Sequence, residues 1–108
     1  MKLVLIKPNL GRREREPYVD EGRMEPLQLG VLAGMCPPDI DVELIDDRCE
    51  RIDFDRPADL AAMTVETFTA RRAYEIAAEY RRRGTPVVLG GIHPTLLPEE
   101  AARHADAM

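Results

Sequence analysis

The residues with chemical potential gather in a few short segments. Two histidines, His93 and His104, and two cysteines, Cys36 and Cys49, are the only imidazoles and thiols, and the chain has no serine. His93 stands in Gly90-Gly91-Ile92-His93-Pro94-Thr95, directly after an apolar run. A glycine pair there reads equally as a tight turn or as a place where a ligand nears the backbone, since no β-carbon intervenes. Thr64-Val65-Glu66-Thr67 follows a second apolar run and reads as a polar handle on a ligand or as the start of a helix. Asn9-Leu10-Gly11 follows a third. With no second ligand nearby in sequence, His93 fits a ligand-contacting loop better than a metal site. His104 falls near the end of a helical stretch, where a cation suits the dipole, and reads as a structural or surface residue.

Several chemistries are excluded. Gly11 stands alone before Arg12-Arg13, so the G-x-G-x-x-G dinucleotide fingerprint is missing, and so is a phosphate-binding G-x-x-x-x-G-K-[ST] loop. A receiver domain would end its third strand in a phosphoacceptor aspartate, where this chain has Met63-Thr64. Two cysteines are too few for a structural zinc or iron–sulfur site, and they read as reduced thiols.

The elements that would position these segments alternate. Leu3-Val4-Leu5-Ile6 is a continuous apolar strand closed by Pro8. A polar stretch, Gly11 to Glu25, follows without periodicity. Pro26 opens a helix that is apolar almost all round, hence expected to pack on more than one side, and Pro37-Pro38 ends it. Val42 to Ile45 is the second strand, before Asp46-Asp47; Leu60 to Val65 is the third. Thr67 or Thr69 can cap the next helix, whose apolar face is Ala73, Ile76, Ala77 and Tyr80 and whose stop is Gly84. Val87 to Leu89 is the fourth strand, and Pro98 starts a last helix to about Ala105. Buried strands alternating with helices predict an α/β fold: a doubly wound parallel sheet, flavodoxin- or Rossmann-like, in order 2-1-3-4. In such sheets ligands bind outside the carboxyl ends of the strands, where the segments above lie.

With 108 residues, 44% of them apolar and 32% charged, the chain has globular proportions and room for one domain, 1–108. No apolar run is long enough to cross a bilayer or to form a signal-peptide core, which predicts no membrane partner and a cytoplasmic location. A net charge of −5 argues against nucleic acid. The strand–helix alternation stops before a fifth strand, so the sequence reads as the N-terminal part of a longer chain. That would leave the fourth strand as an exposed edge capable of self-association.

The segment from Gly90 to Ala101 resembles the GG-x-HPT-x-x-PEEA stretch of the N-terminal cobalamin-binding domain in cobalamin-dependent radical S-adenosylmethionine proteins. Lys2 to Asn9, Pro26 to Ala33, Val42 to Asp46 and Ala73 to Gly84 resemble further segments of that domain in the same order. The resemblance implies cobalamin across the strand ends, with its nucleotide tail entering between the third- and fourth-strand loops. Thr64, Glu66 and Thr67 would border the tail on one side and His93, Pro94 and Thr95 on the other. Gly90 and Gly91 would allow its passage, and Asn9, Leu10 and Gly11 would face the corrin. Methionine-synthase-type domains carry Asp-x-His-x-x-Gly after the first strand, and this chain has Asn9-Leu10-Gly11-Arg12-Arg13, so no protein histidine is expected on cobalt.

The family's Cys-x-x-x-Cys-x-x-Cys motif is not formed by Cys36 and Cys49. The resemblance therefore puts the four-iron four-sulfur cluster and S-adenosylmethionine on a C-terminal barrel of the parent enzyme. This module would present the cofactor for methyl transfer or for C–C bond or ring formation, and would hold no catalytic residue itself. Two alternatives share the fold: a domain that packs on the barrel without cobalamin, and an unrelated flavodoxin-like small-ligand domain.

Overall fold

A computed structural model of the protein describes residues 1–11 and 25–108. Most of the polar stretch read between Gly11 and Glu25, Arg12 and Arg13 included, lies outside the described residues. The elements run β1 (Lys2–Lys7), α1 (Leu27–Met35), β2 (Asp41–Asp46), β3 (Leu60–Thr64), a 3-10 turn (Thr67–Thr69), α2 (Ala70–Arg82), β4 (Val87–Gly90), α3 (Ile92–Leu96) and α4 (Pro98–Ala102). The four strands pair in parallel in the order β2-β1-β3-β4, as the strand–helix alternation predicts.

Register brings the strand ends to one edge. Lys7 pairs with Asp46, Ile6 with Met63, and Thr64 with Gly90. Both sheet faces are covered, which explains the unbroken apolar runs. Val4 and Ile6 point to the side packed by α2, among Met63, Ala73, Ile76, Tyr80 and Leu89. Leu3 and Leu5 point to the other side, against Leu29 of α1. The face read on α2 is buried throughout, and Gly84 closes the helix with φ +84°.

Several expectations need correction. Within α1 only Leu29 is buried, while Leu27, Val31 and Met35 are 61–75% exposed, so the helix packs on one side and turns the rest of its apolar surface outward. An all-round apolar helix reports a capacity for burial, not a partner. Second, Ile92 to Leu96 is a short helix rather than a loop. Pro94 stands in its first turn, where the missing N–H has no intrahelical partner to lose. The expected last helix is shorter, Pro98–Ala102. Third, the outer edge of β4 is not bare. Ala107 bridges Val88 in parallel, the Leu89 N–H donates to the Ala107 carbonyl at 3.1 Å and the Asp106 N–H donates to the Val87 carbonyl at 2.8 Å. Among the described residues no helix is long and apolar enough to cross a membrane.

Candidate binding site at the strand exits

The paired ends of β3 and β4 open onto a cavity of about 490 Å³ beneath α1. Leu29, Val31 and Leu32 wall it from the helix, and Ala62, Met63 and Val88 from the sheet. Its polar side chains are Gln28 and Thr64, joined where Gln28 Nε2 donates to Thr64 Oγ1 at 3.2 Å. The volume falls within the range of about 300–1,000 Å³ usual for small-molecule sites, and mostly apolar walls with a few placed polar groups are typical of them.

The two glycines at its mouth do different things. A β-carbon on Gly90 would meet nothing within 4 Å, so this residue leaves the cavity open. Gly91 has φ +102° and ψ −171°, a region essentially reserved for glycine. A β-carbon there would lie 2.8 Å from the Val65 carbonyl oxygen and 2.9 Å from its nitrogen. Gly91 is therefore required by the turn from β4 into α3, whatever binds beside it.

At the exit of β1, Asn9 is buried rather than displayed. Its N–H donates to Asp47 Oδ2 at 3.1 Å, its side-chain amide donates to the Asp47 carbonyl at 3.3 Å, and its Oδ1 accepts from the Gly11 N–H. Asp47 is 1% exposed and receives Arg72 through two bonds of 2.8 and 3.0 Å. That hydrogen bonding raises the guanidinium pKa. Gly11 has φ +103°, and Leu10 points into solvent. With Phe68 after β3 and Ile92 after β4, Leu10 gives each of these three exits an exposed apolar side chain.

Glu66 faces Lys7, at 2.6 Å. Burial pushes the Glu66 carboxyl up, but the hydrogen bond and charge of Lys7, with Thr69, outweigh it and hold the group below its ordinary value. Thr69 does not cap α2 with its side chain; its Oγ1 accepts from the Glu66 N–H at 3.0 Å and closes the 3-10 turn instead.

His93 is 4% exposed, and both ring nitrogens are engaged. Nδ1 lies 3.2 Å from Thr67 Oγ1 and Nε2 lies 2.7 Å from Glu100 Oε2. The Tyr74 hydroxyl donates to the same Glu100 oxygen at 2.7 Å. Tyr74 and His93 together hold the Glu100 carboxyl below its usual range, while desolvation and Glu100 push the Tyr74 phenol up to about 12. His104 stacks on Tyr74, 3.8 Å between centroids, in agreement with a structural role. Pro94 is buried, and Thr95 is exposed with its Oγ1 donating to the Gly91 carbonyl at 2.9 Å.

The structure thus brings Thr64, Gly90 and Gly91 to the cavity. It joins Thr67 to His93, and gives Glu66 and Asn9 partners within the protein. The pairings of Lys7 with Glu66, Asp47 with Arg72 and Glu100 with His93 and Tyr74 escaped the sequence reading, because the partners are distant in sequence. Gln28 had a signal of its own: it is the one polar side chain in the run from Leu27 to Met35. Among the described residues no group of histidine, cysteine or acidic side chains could hold a metal ion. Cys36 is half-buried and Cys49 exposed, and neither forms a disulfide.

No family model matches this chain, and no solved structure matches it. Two curated proteins of Chlorobaculum tepidum are similar to it. Bacteriochlorophyllide d C-8(2)-methyltransferase is 45% identical over 93 residues, 82% of this chain and 21% of the relative. This chain is similar to part of a methyltransferase. Bacteriochlorophyllide d C-12(1)-methyltransferase is 32% identical over 110 residues, 99% of this chain and 24% of the relative, so that similarity runs through the strand exits. The chain spans about a fifth to a quarter of the length of these relatives.

Proposed function

We propose that residues 1–108 act as the cobalamin-binding module of a radical S-adenosylmethionine methyltransferase. The observation that carries this reading is the cavity opened by Gly90 at the exits of β3 and β4, on a chain similar to part of two methyltransferases. The fit to cobalamin is chemical. The mostly apolar cavity suits the aromatic base of the nucleotide tail, with Gln28 and Thr64 as hydrogen-bonding groups. Leu10, Phe68 and Ile92 offer apolar contacts to the flat corrin. Bound there, the corrinoid would supply a cobalt centre able to carry a methyl group.

The chain's own residues would hold and orient that group. The pair Lys7–Glu66 fixes the exit of β1 to that of β3, Asn9 bonds the exit of β1 to Asp47 after β2, and Arg72 ties Asp47 to α2. Neither histidine is placed to reach cobalt in the cavity: His93 uses both ring nitrogens, and His104 lines the groove with Tyr74 and Glu100 instead. The iron–sulfur cluster and S-adenosylmethionine would belong to a barrel elsewhere in the enzyme, with which this module partners in the cytoplasm. The names of the relatives suggest a tetrapyrrole of the bacteriochlorophyllide kind as methyl acceptor.

Titration of the protein with hydroxocobalamin, followed by absorbance after gel filtration, tests the reading. Stoichiometric retention of the red corrinoid is expected, and weakened retention in Gly90→Leu, whose side chain fills the cavity. A colourless wild-type protein would overturn cobalamin binding and favour a domain of the same fold that only packs on a catalytic barrel.

A further inference from the structure

We propose that His93 is a positioning residue, touching no ligand itself, that clasps the two loops bordering the cavity by bonding Thr67 through Nδ1 and Glu100 through Nε2. This rests on the cobalamin reading above only for the ligand used to detect it. The clasp extends a chain of backbone bonds. Val65 N–H donates to the Gly90 carbonyl at 2.8 Å, and His93 N–H donates to the Val65 carbonyl at 3.0 Å. Those two bonds tie the β3 exit to the β4 exit at the cavity mouth. The imidazole then reaches back to Thr67 on the β3 side and forward to Glu100 on α4.

The ring points away from the cavity. It lines the opposite groove, between α2 and α4, with Tyr74, Glu100 and His104. Any effect of Glu100 on a ligand in the cavity must therefore pass through the protein. The proton arrangement is also fixed. An ionised carboxylate only accepts, and Glu100 is held in that form, so Nε2 carries the proton facing it. In the neutral ring, Nδ1 then accepts from the Thr67 hydroxyl. Tyr74 donates to the same carboxylate oxygen and holds it towards the ring. Both ring bonds are made by a side chain that is only 5% exposed, so removing either partner leaves a buried nitrogen unsatisfied.

The test uses two corrinoids: cobalamin, which carries the nucleotide tail, and cobinamide, which lacks it. Thr67→Val and Glu100→Ala should each weaken cobalamin binding about 3- to 10-fold, the scale of one lost hydrogen bond. Cobinamide binding should be unchanged, and Thr67→Ser should restore wild-type affinity. The two losses should combine to less than their product, because both act through one ring. Equal losses for the two corrinoids, no loss in Glu100→Ala, or full multiplicativity would overturn the clasp. If the wild-type protein binds neither corrinoid, the cobalamin reading fails and the clasp is judged on the free protein. The His93 amide should then exchange its hydrogen about 3- to 10-fold faster in Thr67→Val and in Glu100→Ala, and unchanged exchange would overturn the proposal.

Discussion

The Lys7 ammonium lies 2.6 Å from the carboxylate of Glu66, 59 residues along the chain, and pins the exit of β1 to the exit of β3. The lysine side chain is 7% exposed and the glutamate 25%. Losing one partner of a fully buried pair costs about 3–5 kcal/mol. Solvent at the partly exposed carboxylate reduces this, so Glu66→Ala should lose about 1–2 kcal/mol in urea unfolding. The pH dependence has a definite sign. The folded pKa of Glu66 is depressed, so its contribution is fully present above the ordinary glutamate value of about 4.3 and is lost as pH falls through the lower folded value. Wild type should lose more stability than Glu66→Ala over that acid window, and parallel profiles would contradict the pairing.

Gly90 and Gly91 are neighbours with opposite tolerances. Gly91→Ala forces a β-carbon against the Val65 backbone and abandons a glycine-only conformation. It should cost at least about 1–3 kcal/mol from the backbone conformation alone. Gly90→Ala has open space and sits in a strand, where alanine is favoured by roughly 0.5–1 kcal/mol. Thermal melts of the two variants, side by side, should move in opposite directions. Loss of corrinoid in a Gly91 variant would thus report misfolding, and only a Gly90 variant probes the cavity.

Asp47 is the anchor of the β1 and β2 exits. At 1% exposure it accepts from the Asn9 N–H and from two Arg72 nitrogens. Asp47→Ala takes the acceptor from a buried amide and from a guanidinium that is 24% exposed and keeps Glu75 at 3.7 Å, and should destabilise by about 2–3 kcal/mol, below the cost for a fully buried pair. Arg72→Lys keeps the charge but cannot make the forked contact, and should lose about 1–2 kcal/mol. Denaturant midpoints check both; equal, small effects would mean that the network is dispensable.

The sheet was legible because its signals are local. Four apolar runs, each followed by a turn residue and separated by helical periodicity, fix a parallel order once right-handed crossovers are required. A candidate site at the strand ends was read from the same rule, and the register of β3 and β4 sets Thr64 beside Gly90. What escaped depends on distant partners. Nothing near Lys7 announces Glu66, and nothing near Asp47 announces Arg72. The resemblance implied that Asn9 faces the corrin; here Asp47 draws it inward. His93-Pro94-Thr95 looked like a loop because proline masks a helical start, yet Pro94 is placed where a helix tolerates it.

The absence of a histidine on cobalt is the last expected outcome, and it now rests on contacts as well as on sequence. The chain has two histidines in all. His93 would have to break its bonds to Thr67 or Glu100 to reach a metal, and His104 lines the groove beside Tyr74 and Glu100 rather than the cavity. Freeing His93 forfeits about 0.5–1.5 kcal/mol for the neutral hydrogen bond and more for the bond to a carboxylate. Electron paramagnetic resonance of the protein loaded with reduced, paramagnetic cobalt should therefore show no nitrogen superhyperfine splitting from a protein imidazole. His93→Ala and His104→Ala should leave the cobalt spectrum unchanged, even where His93→Ala weakens binding. Splitting that persists with a corrinoid lacking the tail base, and that disappears in either variant, would place that histidine on the metal.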